Sequence, residues 1–314
     1  MHETTIVDGK VRGVTMRLYE GLPPSLPAML DGVVRDFGSH EAVVFGEVRW
    51  TYDELARRVR ATAAELSARY GIARGDRVAI LTGNSSDFPV AFFATIVLGG
   101  IAVPLNNRWT PPELRYALDD SGAKAVVIHP EYYPELGKVR GELSKLEHVF
   151  LTGTKAEKGT IAFDGGLPGT GDPPRVELGP EDAAGIFYTS GTTGFPKGAL
   201  TTHRNFLTNC ENARRVLNLR PAKARNLVAA PLFHATACHS QLIATIYAAG
   251  TCVILREFKA DVVLDVVPKE KITILVGVPT MHWLLLVNPR FPQTDMSSVE
   301  SVVYGGAPCP PDLV

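Results

Sequence analysis

The chain has 314 residues, 45% hydrophobic and 21% charged, with a formal net charge of −1 at pH 7. That length exceeds what one hydrophobic core ordinarily fills, so two compact units are expected. The balanced charge, with no Lys/Arg stripe interleaved with aromatics, argues against nucleic acid as a partner.

Four cysteines stand at 210, 238, 252 and 309. They form no CxxC pair and match no zinc spacing, so they read as reduced thiols and no metal site is expected from them. Residues 1–10 lack a charged start followed by an apolar stretch, so no secretory signal is visible. The runs "AFFATIVLGGIAVPL" and "ITILVGVPTMHWLLLV" are shorter than the ~18–20 residues of a membrane span and are interrupted by proline. They read as buried strand and helix segments, with no transmembrane segment and a cytoplasmic location expected.

Near the N-terminus, "AVVFGEVRWTYDEL" predicts a hairpin leading into a helix over 52–70. A strand "RVAIL" (77–81) follows, then an amphipathic stretch over 87–98 and a strand "IAVPL" (101–105). Thr110 suits an N-cap, Pro111 the first helical position, and Gly122 the stop. Next come a strand over 123–129, a helix to about Leu146 and a strand over 148–153. Residues 152–180, rich in Gly, Pro and charge, predict an exposed loop. A strand "AAGIFYT" (183–189) precedes a polar loop and a helix starting near His203. Beyond Asn218 the alternation resumes with strands in "NLVAAPLF", "TCVILR", "ITILVGVP" and "SVESVVYGG". Helices are expected up to Ala249, over "ADVVLDVVPKE" and from Thr280. This alternation predicts an α/β fold of two packed units with mainly parallel sheets flanked by helices. One unit would take 73–217. The other would be discontinuous, from 1–72 and 218–314.

The segment "YTSGTTGFPKG" (188–198) carries most of the chemistry. Gly191 and Gly194 can let backbone N–H groups point inward, Thr189, Ser190, Thr192 and Thr193 add hydroxyls, and Lys197 adds a charge. A hydrogen bond to a charged group contributes roughly 1.5–3 kcal/mol against roughly 0.3–1 from a helix dipole, so converging donors would dominate. Lys197 is followed by Gly198, not Ser or Thr, so this is no Walker loop, and GxGxxG is absent. Composition alone leaves an anion-binding loop and a polar turn equally open. A lone histidine such as His234 or His239 after an apolar strand is more often structural, and Cys238 has no activating partner in the sequence.

The whole string resembles the signature of the adenylate-forming enzymes, which include acyl- and aryl-CoA synthetases. "WTYDEL" (50–55), "VLGGIAVPLN" (97–106), "PLFH" (231–234) and "YGGAP" (304–308) resemble further elements of that family, in the right order. The resemblance spans about 28–314. It implies that Thr189, Ser190, Gly191, Thr192, Thr193, Gly194 and Lys197 hold the ATP phosphates, and that Gly305, Gly306, Ala307 and Pro308 face the adenine. It places His234 by the carboxylate or the thiol path as the catalytic candidate. It implies ATP, Mg²⁺ and coenzyme A as cofactors and a small-molecule carboxylic acid as partner, and leaves a homodimer open. Amino-acid-activating relatives carry an Asp where "PLFHATACHS" has none, which favours an apolar fatty or aryl acid. Ala237 stands where the family commonly has glycine. "GVPTMHWLLL" (277–286) reads equally as acyl-pocket wall or plain core. The family's later elements, including a β-barrel part and a small C-terminal domain with the adenylation lysine, have no counterpart before Val314. The resemblance therefore implies a parent acid–thiol ligase of which this is the first part. A carrier-protein-loading ligase and a non-catalytic nucleotide-binding fragment are the alternatives.

Overall fold

A computed structural model of the chain describes residues 4–153, 155–189 and 194–313. A hairpin, β1 (Thr5–Val11) and β2 (Val14–Glu20), precedes helix α1 (Leu26–Phe37), strands β3 (Glu41–Phe45) and β4 (Val48–Thr51), and α2 (Tyr52–Ala68). Then come β5 (Arg77–Leu81), α3 (Asp87–Val97), β6 (Ile101–Pro104), α4 (Pro111–Ser121), β7 (Ala125–Ile128), α5 (Tyr133–Gly137), β8 (His148–Thr152) and β9 (Ile161–Phe163). A second hairpin, β10 (Ala183–Thr189) and β11 (Lys197–Thr202), leads into α6 (His203–Val216) and β12 (Arg225–Val228). A π-helical segment, Thr236–Ile243, runs into α7 (Ala244–Tyr247). The chain continues through β13 (Thr251–Ile254), α8 (Ala260–Glu270), β14 (Ile274–Gly277), α9 (Pro279–Leu286) and β15 (Ser301–Tyr304).

The strands form two larger sheets, ordered β11-β10-β6-β5-β7-β8-β9 and β15-β14-β12-β13-β3-β4. Pairing is parallel except at one edge of each, where β11 and β4 run antiparallel to their neighbours. Period-two alternation explains how they stack. Val78 and Ile80 of β5 share one core with Val228, Cys252 and Ile254 of the other sheet, and with helices α1, α2, α3 and α6 between them. Ala79 and Leu81 point the other way, into a core closed by α4 and α5. Val44, Leu227 and Val253 face a third core under α8 and α9. The result is five alternating layers of helix and sheet.

Local sequence sets the helix starts. Thr51 Oγ1 accepts the Glu54 N–H at 3.2 Å at the start of α2. Glu113 accepts from both the Thr110 N–H (2.8 Å) and its hydroxyl (2.7 Å), and Gly122 closes α4 in the left-handed region at φ 61°.

Three expectations need correction. The stretch over 87–98 is not amphipathic: every residue from Phe88 to Ile96 is buried, because α3 lies in the central layer with apolar neighbours all round. The phosphate-loop segment does not run directly from strand to helix; β11 pairs back on β10 and makes it the end of a hairpin. The stretch 152–180 is only partly an exposed loop. Phe163 and Leu167 are buried. The Gly165 N–H donates to Asp87 (2.9 Å), Arg58 donates to the Gly165 carbonyl (3.0 Å), and the Leu167 N–H donates to Thr62 (2.9 Å).

One buried side chain joins the two large sheets. Asn84 lies in the loop after β5 and is 4% exposed. Its amide donates to the carbonyls of Ala230 and Leu255, each at 3.0 Å, which follow β12 and β13. Its oxygen accepts the Leu232 N–H at 2.8 Å. Replacing Asn84 with Ala orphans one buried N–H and removes a donor from two carbonyls. Since an unsatisfied buried group costs about 1–3 kcal/mol, a loss on the order of 3 kcal/mol is expected by chemical denaturation. A loss under ~1 kcal/mol would show that the sheets are held by apolar packing alone.

Candidate functional site

A cleft of about 920 Å³ opens where the carboxyl ends of the parallel strands of both sheets face each other. Each wall is the continuation of a strand. Asn106, Arg108 and Trp109 follow β6, Phe187 to Thr189 end β10, and Pro231 to His234 follow β12. Gly277 and Val278 lie at the end of β14, and Gly305 and Gly306 at the end of β15. Open α/β sheets place ligands in the crevice outside the carboxyl ends of their strands.

The residues singled out in the sequence divide as follows. Thr189, Gly194, His234, Gly305 and Gly306 all line this one cleft, although 117 positions separate the first from the last. Lys197 is exposed in the last residue pair of the hairpin, opposite Thr189, whose hydroxyl lies 3.5 Å from its carbonyl. Ser190, Gly191, Thr192 and Thr193 lie outside the described residues. Ala307 is exposed, and Pro308 lines a neighbouring hollow with Pro279 and Trp283. In "GVPTMHWLLL", Met281 reaches the cleft and Leu285 is core, while Trp283 and Leu286 are about half exposed, at 51% and 50%.

Helix α4 holds the hairpin in place. The Tyr188 hydroxyl donates to Asp120 (2.6 Å) and lies 3.1 Å from the Ala117 carbonyl. Beyond the loop, Phe195 stacks on Tyr116 with ring centroids 4.5 Å apart. Tyr188 on β10 and Phe195 just before β11 are thus tied to one helix. Gly194 sits at φ 88°, a conformation that a side chain would strain. At Gly305 a Cβ would meet nothing within 4 Å, so the backbone there faces open cleft.

His234 stands at the mouth of the π-helical segment, its ring against Phe233 at 4.3 Å. Partial burial, and secondarily the Arg108 guanidinium, lower its pKa, so the imidazole is neutral at pH 7 and can both accept and donate a hydrogen bond. His239 is a different case. It packs between Phe187 and Phe206, with centroids at 4.4 and 4.2 Å, and burial lowers its pKa to about 4. Cys238 is a buried thiol pushed up by its apolar surroundings, and all four cysteines are free. Among the described residues no group of three His, Cys, Asp or Glu could hold a metal ion, and no helix is long and apolar enough to cross a membrane.

The sequence reading missed Arg108, Trp109 and Gln241. Arg108 and Trp109 follow the "PLN" element directly, so their position one strand over from β10 was available from the strand order. Gln241 gave no signal, because a polar residue in an otherwise apolar helix ordinarily marks a solvent face.

Arg108 generates a prediction about His234. Replacing Arg108 with Gln should raise the His234 pKa, but not fully to 6.5, because burial is the larger cause. The neutral form then gives way at a higher pH as acid is added. An NMR titration of the imidazole checks this, and an unchanged pKa would mean that the Arg108 charge does not reach the ring.

The comparisons with known proteins fit this geometry. The model of the AMP-binding enzyme family matches residues 30–314. The feruloyl-CoA synthase of Amycolatopsis sp is 37% identical over 273 residues, covering 87% of this chain and 52% of that protein. A long-chain-fatty-acid–CoA ligase of Escherichia coli O157:H7 is 34% identical over 316 residues, covering 90% of this chain and 56% of its own. Among solved structures, anthranilate CoA ligase AuaEII in complex with anthranoyl-AMP superposes with a TM-score of 0.85 at 28% identity, covering 93% of this chain and 57% of that one. This chain spans about half the length of the curated relatives it matches. It belongs to the family of AMP-binding enzymes.

Proposed function

We propose that the cleft binds ATP and a carboxylic acid side by side, and that the protein activates the acid as an acyl adenylate for transfer to the thiol of coenzyme A. The observation carrying this reading is the convergence of the hairpin end, His234 and the Gly305–Gly306 turn on one cleft. Membership of the AMP-binding family and relatives named as CoA synthases and ligases support it. The carboxylate oxygen attacks the α-phosphorus, pyrophosphate leaves, and the thiol sulfur then displaces AMP from the acyl carbon. A carboxylate is a weak nucleophile approaching a polyanion, so positioning the two and offsetting charge are what the protein must supply.

The residues present suit these substrates. Thr189, Gly194 and Lys197, with Ser190, Gly191, Thr192 and Thr193 between them, would hold the phosphates, and Mg²⁺ would arrive with the nucleotide as part of the substrate. The open backbone at Gly305 and Gly306 lets the flat face of adenine approach without a Cβ in the way. Ala307 and Pro308 would extend that turn. A neutral His234 can donate to a carboxylate oxygen at pH 7, and Arg108 adds a positive charge on the same side. Phe187, Phe233, Val276 and Met281 give the cleft an apolar part that suits the body of a fatty or aryl acid.

Replacing Lys197 with Ala should weaken ATP binding in the presence of Mg²⁺ by roughly tenfold to a hundredfold, the equivalent of one or two charge-assisted hydrogen bonds. Isothermal titration calorimetry on this chain measures it. Unchanged affinity would remove Lys197 from the phosphate site.

A further inference from the structure

Gln241 is fully buried, lines the cleft, and neither its amide nitrogen nor its amide oxygen has a hydrogen-bond partner among the described residues. Two orphaned atoms on one side chain are costly, since each buried unsatisfied group costs about 1–3 kcal/mol. Native structures tolerate this where function uses the group. The cost falls in an unusual piece of backbone, the π-helical segment Thr236–Ile243, a helix form that often marks functional sites. In such a helix, residues four or five apart share a face. Ala237 and Gln241 therefore stack, and both line the cleft. Ala237 carries only a methyl group, and both residues lie fully buried beneath the cleft surface.

We infer that Gln241 is a specificity-determining residue. Its amide receives a hydrogen-bonding substituent on the far end of the acid, such as a hydroxyl on an aromatic ring. This rests on the reading of the cleft as an acid-activating site. Gln241 stands seven positions after His234, more than one turn into the π-helical segment that His234 precedes. An acid whose carboxylate lies by His234 and whose apolar body passes Phe233 and Met281 can then place a polar tip at the amide. A plain fatty chain would leave the amide unpaired. A site built to bond a hydroxyl discriminates strongly against the analogue lacking it, for that reason.

The test is equilibrium binding of 4-hydroxycinnamic, cinnamic and decanoic acids to this chain by calorimetry. The hydroxylated acid should bind at least about tenfold more tightly than cinnamic acid, and decanoic acid should also bind more weakly. In Gln241→Leu the first ratio should fall to within about twofold. The melting temperature should not drop, because an apolar side chain of similar shape removes an unsatisfied group. A purely structural glutamine would instead lower it. A wild-type ratio within twofold overturns the inference, as does a Leu variant that keeps the preference. If that variant does not fold, Gln241→Met and the wild-type ratio decide the question. Acids that bind without discrimination sink this inference alone, whereas no binding by any of the three sinks the proposed function as well.

Discussion

The three hydrogen bonds of Asn84 fix the geometry on which the site depends. They run from the loop after β5 to the backbone just past β12 and β13, so they join the carboxyl edges of two separate sheets. A buried amide with its oxygen and nitrogen both engaged is rigid, and losing it would leave backbone groups unpaired. Outside this point, the Arg256–Glu131 ion pair spans the same divide at the surface, where such pairs contribute little. The cleft is the space left between two edges held at a set distance. Its walls come from five strands distant in sequence because sheet pairing brings β6 beside β10 on one edge and β12, β14 and β15 together on the other.

Within that frame, polar groups are distributed by need. The hairpin is tied to α4 through Tyr188 on β10 and Phe195 just before β11. His234 is kept neutral by partial burial and by Arg108. His239, five residues on, is neutral for another reason: it is enclosed by Phe187 and Phe206 and serves as packing. Gln241 is the residue that satisfies neither description, being buried without a partner at the cleft.

Much of the fold was legible because strands buried on both faces write short apolar runs between turn signals. "RVAIL" gives the bounds of β5 and "ADVVLDVVPKE" those of α8. The hairpin β10–β11 was not legible, since "KGALTT" is a polar edge strand whose pairing depends on a partner rather than on its own pattern. The N-terminal β1–β2 hairpin escaped for the same reason, with exposed residues on most positions. The π-helical segment escaped because a helix pattern does not reveal one extra residue per turn. For the site, family-like strings located Thr189, His234 and Gly305, but their convergence came from strand order. Arg108 had only its place after the "PLN" element to mark it, and Gln241 carries no motif; its burial and cleft position single it out.

The central claim is that one cleft holds nucleotide and acid together. Amide hydrogen exchange of this chain, with and without a non-reactive acyl-sulfamoyl adenosine, tests it most directly. The account requires exchange to slow together at 186–189, 230–241 and 304–306, three of the five chain segments that line the cleft. Slowing at only one of them, or at none, would contradict it.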